Sequence, residues 1–401
     1  MGTRSEVCYN TSMKSRVKVS VLVPIYNVED FLADCLESLV NQTLKEIEII
    51  CINDGSKDRS LEIIKEYATK DERIVIINKE NTGYGDSMNR GLKKAVGEYV
   101  GIVEPDDFID MDAFEKLYNA AKKNNAEVVK ANYYEYYGDT NEDKTKSNLF
   151  RLEEIGRVID PRDEHMIIYQ LPCIWAAIYK REFLIDNKIN FLATPGASYQ
   201  DTGFNMKVWL SARRAFFIKK AFLHYRQDNS NSSVKDTGKV YCVKEEQDSV
   251  EEFLKERGLM EELGPIAFTC RFGSYIWNLH RLKFMAAMEF SKVVKADYER
   301  AKKEGYLDKN RLDHVGRHNA RMIAIRHPKL YVVFRPLHDF RNSLKPTVTA
   351  IVKKISPRYR QRLKTIELIE KINDVQSDIM SMVSEMELTK MKEKDEKRKK
   401  S

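Results

Sequence analysis

Apolar positions in the first 125 residues follow two alternating periods. Residues 17–24 form a short β-rich run, and 28–41 carry helical spacing through Phe31, Leu32, Cys35, Leu36 and Leu39. The pair recurs. Residues 47–53 read as a strand, followed after Asp58 by a helix through Leu61, Ile64 and Tyr67. A third strand over 74–78 precedes a helix near 87–96, and a fourth over 99–103 precedes a helix over 112–122. Strands alternating with helices of about ten residues predict an α/β fold, a mainly parallel sheet covered by helices. No repeat of fixed period runs through the chain.

The pattern weakens after Tyr137, where the polar stretch 138–144 reads as an exposed loop and a mixed region continues to about Val234. Residues 241–341 are largely helical in pattern, with Trp277, Leu279, Leu282 and Met285 expected on buried faces. Five parts follow: a disordered N-terminus (1–16), an α/β domain (17–235), a helical accessory domain (236–340), a basic amphipathic segment (341–364) and a short coiled-coil-like helix with a charged tail (365–401). In the last part Leu368, Ile372, Val375, Ile379, Met382 and Met386 recur with heptad spacing, a seam that would pair chains into a homo-oligomer.

Composition narrows the class. With 401 residues and 42% hydrophobic content, the chain suits a soluble protein of two or three domains. No apolar run approaches the ~18 residues of a spanning helix, and residues 1–16 lack a signal-peptide core. The six cysteines have no paired spacing, which argues against a zinc cluster or disulfide framework and for a reducing cytoplasm. The net charge of +7 is local: 341–364 holds eight Lys or Arg and no Asp or Glu. That placement argues against nucleic acid and for one local anionic partner. Val348, Ile351, Val352 and Ile355 form a helical stripe beside Lys353 and Lys354, a pattern suited to an anionic membrane surface. The plain alternative is a solvent-facing helix packed on the domain.

Ligands of open α/β sheets bind outside the carboxyl ends of the strands, and there this chain places polar residues. Pro24-Ile25-Tyr26-Asn27 follows the first strand, Asn53-Asp54-Gly55-Ser56 the second, and Glu104-Pro105-Asp106-Asp107 the fourth. Asp54-Gly55 alone is an ordinary turn, with Ser56 or Asp58 as a helix cap. Glu104, Asp106 and Asp107 crowd three carboxylates into four residues, a repulsion that a cation, solvent or hydrogen bonds must offset. Hard oxygen ligands favour Mg²⁺ or Mn²⁺; the alternative is a solvated turn with Asp110 capping the next helix.

In this order, the Pro-x-Tyr-Asn strand end, the acidic-Gly-Ser turn, Asn81-x-Gly83, Gly97-Glu98-Tyr99 and the acidic cluster resemble glycosyltransferase family 2, nucleotide-sugar enzymes of the GT-A fold, over roughly residues 17–235. The resemblance implies that Pro24, Tyr26 and Asp54 border the base, with Asn81 also in the nucleotide site. It implies that Asp106 contacts ribose or metal and that Asp107 binds the metal. Gln200-Asp201 resembles the family's Glu-Asp motif, which makes Asp201 the catalytic base; capping its helix is compatible with that role. The preceding 194–197 reads as a flexible stretch over the acceptor. His224-Tyr225-Arg226 with Ser232-Ser233 resembles the motif that ends the catalytic domain. Arg226 would then hold the diphosphate, and His224 is either a metal ligand or structural. Trp175 is packing or lines the acceptor site. Three departures stand out: Glu104 for the usual Asp, Asn53 for the first Asp of a pair, and Met88 for an Arg, with Arg90 as the nearest replacement.

The implied activity is metal-dependent, inverting transfer from a UDP-linked sugar to a saccharide or lipid-linked saccharide, at the inner face of the cell membrane, in surface polysaccharide or wall polymer synthesis. A nucleotidyltransferase would want a Gly-rich, basic loop where Tyr26-Asn27-Val28-Glu29 stands. A non-catalytic nucleotide-sugar-binding partner subunit has room in Asn53 and Gln200, but Asp107 and Asp201 argue against it. Gly83-Tyr84-Gly85 lacks the third glycine of a Rossmann fingerprint.

Overall fold

A computed structural model of the chain describes residues 17–138, 142–145, 149–164, 166–170, 172–196, 199–229, 239–307 and 325–333. The expectations for 1–16, Ser232-Ser233, 341–364 and 365–401 lie outside these residues.

Strands β1 (Val19–Ile25), β2 (Ile47–Asp54), β3 (Ile74–Lys79) and β4 (Tyr99–Ile102) pair in the order β3-β2-β1-β4, all parallel. β1, β2 and β4 are buried along their whole length. Burial on both faces is why they read as continuous apolar runs. Between them lie α1 (Glu29–Val40), α2 (Ser60–Ala68) and α3 (Tyr84–Lys94), and α4 (Ala113–Asn124) follows. α1 buries Leu32, Cys35, Leu36 and Leu39, the stripe that marked it as a helix.

The sheet then departs from simple alternation. Its remaining strands are β5 (Phe108–Ile109), β6 (Val128–Tyr137), β7 (Glu142–Thr145), β8 (Val158–Ile159), β9 (Ala177–Lys180) and β10 (Ala215–Arg226). The order continues β4-β9-β6-β10-β5, with β7 on β6 and β8 on β10. β9 runs antiparallel to both β4 and β6, whereas β6 and β10 are parallel. Part of the stretch expected to be a loop is therefore strand: Glu142–Thr145 pairs with the end of β6. Its polar sequence hides this, because an edge strand needs no apolar face.

After β9 come α5 (Arg181–Asp186) and α6 (Gln200–Ser211); after β10 come α7 (Cys242–Lys255), α8 (Met260–Arg281) and α9 (Phe284–Glu304). Val250, Phe253, Leu254, Leu263 and Ile266 of α7 and α8 belong to the same core as the sheet. The described residues up to Val332 accordingly belong to one compact unit. Leu279 and Leu282 are buried as expected, but Trp277 is 40% and Met285 76% exposed. Each sits two residues from a buried position, Leu279 and Ala287, and two residues turn a helix by ~200°. Among the described residues, no helix is long and apolar enough to cross a membrane.

Candidate active site

The turns after β1 and β2 are stitched together. Asn27 adopts a left-handed backbone (φ 50°); its N–H donates to Ser56 Oγ (3.1 Å) and its Oδ1 accepts from Lys57 N–H (2.7 Å). Val28 N–H donates to Ser60 Oγ (3.1 Å) and Glu29 N–H to Asp58 Oδ2 (3.0 Å), so the second turn caps α1 as well as opening α2. Pro24 is buried within β1, whereas Tyr26 (50%) and Asn81 are exposed. Asp54 is 5% exposed and commits both oxygens internally. Oδ1 accepts from Lys79 Nζ and Thr82 N–H (2.9 Å), and Oδ2 from Gly83 N–H (3.0 Å). Of the expected base-bordering residues, Asp54 thus holds the loop that carries Asn81. Asn53 donates to Asn78 Oδ1 (2.7 Å) and accepts from Ser56 N–H (3.3 Å), a pair of roles an ionised Asp cannot fill.

The acidic cluster lies between β4 and β5. Glu104 accepts from the Tyr84 hydroxyl (2.7 Å); burial, with Asp106 and Asp201 nearby, pushes its carboxyl up to about 8. Asp106 accepts from Asn229 Nδ2 (2.8 Å). Asp107 is 1% exposed: Oδ1 accepts from Arg226 N–H (2.9 Å), while Oδ2 is buried without a hydrogen-bond partner. Burial and Asp106 drive its proton affinity well above the usual carboxylate range. A buried, unpaired carboxylate oxygen fits a bound cation, and two carboxylates completed by phosphate oxygens are a common Mg²⁺ arrangement. Among the described residues, no three His, Cys, Asp or Glu side chains gather into a ready-made metal site.

His224, expected as either a metal ligand or a structural residue, has partners next to the acidic turn. Its Nε2 pairs with Asp110 Oδ1 (2.9 Å), and its ring stacks on Phe108 (4.3 Å) and Tyr134 (5.0 Å). Arg226, expected on the diphosphate, donates from Nε to the Asp106 carbonyl (2.9 Å) and from Nη2 to Asp34 Oδ2 (3.0 Å). Phe31 and Tyr136 flank its guanidinium at 4.8 and 5.0 Å. It braces the acidic turn. Met88 is fully buried, and Arg90 pairs with Asp86 (2.9 Å). Trp175 stacks on Tyr225 (5.0 Å, 25°), and Tyr225 lies within electrostatic reach of Asp107, Asp106 and Glu104. That places an aromatic surface beside the acids.

Asp201 sits in the first turn of α6, behind Tyr199 in a left-handed conformation (φ 66°). Oδ1 accepts from the adjacent Thr202 N–H (2.9 Å), and burial raises the carboxyl to about 6. Its charge acts on both Glu104 and Tyr84, so the fold brings it to the acidic cluster. Gln200, 1% exposed, donates to Thr194 Oγ1 (2.8 Å) and the Gly196 carbonyl (3.1 Å). Phe191 and Asn89 exchange two hydrogen bonds of 2.9 Å, and Tyr84 N–H donates to Gly196 O (3.1 Å). The stretch expected to be flexible is therefore tied down at Thr194 and Gly196.

The same contacts explain Gly83-Tyr84-Gly85, whose importance the sequence reading missed. A Cβ at Gly83 would stand 2.6 Å from the Thr194 carbonyl, and one at Gly85 would collide with the Leu192 carbonyl. Gly85→Ala is expected to cost about 1–3 kcal/mol by overpacking against backbone, measured as a lower urea midpoint. A cavity of about 960 Å³ lies at the opposite, amino end of β1 and β4, between Lys18, Glu98 and Arg181, far from these carboxyls.

Residues 20–186 match the family described as glycosyl transferase family 2. A cholesterol galactosyltransferase of Borreliella burgdorferi is 30% identical over 266 residues, covering 62% of this chain and 70% of that protein. The chain belongs to glycosyltransferase family 2. Glycosyltransferase GlyA of Streptococcus pneumoniae is 33% identical over 220 residues; the match covers 52% of this family 2 chain but only 30% of GlyA. The crystal structure of S. aureus TarS 1–349 in complex with UDP-GlcNAc has 21% identity and a TM-score of 0.47, covering 75% of this chain and 91% of that one. The family 2 match ends at Asp186, before the segment that carries Asp201, Arg226 and α7 to α9.

Proposed function

We propose that the protein transfers a sugar from a UDP-linked donor to a saccharide or lipid-linked saccharide hydroxyl, with inversion. The observation that carries this reading is the convergence of Asp201 on Glu104 beside Asp106 and Asp107, in a family 2 chain. Tyr26 and Asn81, exposed after β1 and β3 on either side of β2, would border the nucleoside. Asp107 and Asp106 would hold Mg²⁺ or Mn²⁺, which when bound supplies positive charge against the charge growing on the leaving diphosphate. The acceptor proton passes to the Asp201 carboxylate as the acceptor oxygen bonds to the anomeric carbon and the bond to the diphosphate oxygen breaks. Attack from the face opposite the leaving group inverts that carbon. Trp175 and Tyr225 offer an aromatic face for a sugar ring.

Nucleotide release from UDP-glucose, UDP-galactose and UDP-N-acetylglucosamine, compared with GDP- and CDP-sugars, tests the reading. Release from a UDP-sugar is the expected outcome. Binding of UDP-sugars with no release under any acceptor mixture would instead make the chain a binding subunit.

A further inference from the structure

α7 carries a second buried carboxyl close to the candidate base. Glu246 is 1% exposed; no side chain comes within hydrogen-bond distance of Oε1 or Oε2, and the Gly203 N–H is the backbone donor that faces the carboxyl. The carboxyl occupies a notch in α6 that exists because residue 203 is glycine: a Cβ there would collide with Oε2. Gly203 lies two residues after Asp201, in the same opening turn. The charged groups facing Glu246 are Lys207 and Asp201 from α6 and Glu245 from its own helix. Lys207 donates to Ser249 Oγ (2.7 Å) and the Asn190 carbonyl (3.4 Å). From α8, Arg271 is engaged by Asp248, Glu251 and Asp297.

Such a group has a poor reason to be there for stability alone. An ionised carboxylate buried with only one backbone N–H against it is disfavoured, and a residue of apolar character would fill the notch without that penalty. We propose that Glu246 is a positioning residue for Asp201: it seats the opening turn of α6 through the notch at Gly203 and, as the second carboxyl of a charge-coupled pair, sets how strongly Asp201 attracts a proton. The proposal rests on the reading of Asp201 as the base. Burial, with the Asp201 charge adding to it, pushes Glu246 up to about 8, while Asp201 itself titrates near 6. Two carboxyls separated in this way lose their protons in two steps that belong to the pair. Between the steps Asp201 is ionised beside a neutral Glu246. Above the second step it is ionised beside a charge, and so becomes a stronger base.

Carboxyl-stretch infrared difference spectra between the unmutated protein and Glu246→Gln isolate this group and need no substrate. The protonated signal should persist at neutral pH and fade near pH 8. In an Asp201→Asn background the fading should shift to lower pH, because the neighbouring charge is gone. The rate of UDP release from UDP-glucose should rise through pH 6 and again through pH 8. Glu104, the other buried carboxyl on which the Asp201 charge acts, keeps a share of the second rise, so Glu246→Gln and the apolar Glu246→Met should keep the first rise and lessen the second, ending several-fold below the unmutated alkaline rate. Glu246→Met serves should the amide fail to fold. A Glu246 signal that Asp201→Asn does not move, or pH profiles that coincide in shape, would overturn the proposal. Retained UDP release in Asp201→Asn would instead remove the base reading, and the infrared coupling would still stand.

Discussion

Asp201→Asn is expected to lower sugar transfer by at least ~10²-fold while leaving UDP-sugar affinity nearly unchanged. The amide keeps the size and the hydrogen bond from Thr202 N–H but cannot accept the acceptor proton. Binding is measured by calorimetry and transfer by nucleotide release. The pH dependence follows from the same site. Burial raises the carboxyl to about 6, and the base works only when ionised, so transfer in the unmutated enzyme falls as pH drops through 6. An unchanged rate, or a collapse of donor affinity, would make Asp201 a structural residue.

Asp107→Ala should reduce metal-dependent turnover by about 10²–10³-fold, the scale of losing a group that stabilises developing charge. Mn²⁺ binding, followed by titration calorimetry, should weaken in parallel. The fold should survive. The substitution leaves Arg226 N–H without its acceptor but also removes a carboxyl whose Oδ2 is buried and unpaired. A melting temperature close to that of the unmutated protein would support this balance. If metal affinity and turnover both persist, the acidic turn has another purpose.

The strands and helices up to Asn124 were legible because their signals are local. β1 and β2 are continuous apolar runs, and α1 carries its stripe within twelve residues. The acidic cluster and Asp201 were legible as motifs. The rest depends on partners far away in the chain. Asp54 reads as a border of the base, and the Thr82 and Gly83 N–H groups that its oxygens accept from lie too far along the chain to be read there. His224 reads as a metal ligand or a structural residue, and its pairing with Asp110 is set by a partner that local sequence does not show. Arg226 reads as a phosphate anchor, and its contact with Asp34, 192 residues earlier, has no signal in the sequence. Glu246 hides in a run of charges, Lys244-Glu245-Glu246. Its one sequence signal is its place between Val243 and Val250 on the buried stripe of α7, at spacings of three and four.

The position of β9 has a consequence for how the molecule is made. This strand lies mid-sheet, between β4 and β6, yet follows both in the chain. During synthesis β1 to β4 can pair as they emerge, but β4 and β6 stay unjoined until residues 177–180 are available. Asp107 waits longer still, because its backbone donor is Arg226, at the end of β10. Pairings of such long sequence separation are slow to form and leave strand edges open meanwhile. The acidic turn is therefore completed only when β10, itself a mid-sheet strand, has joined. A chain cut before residue 226 would lack the backbone donor from which Asp107 Oδ1 accepts.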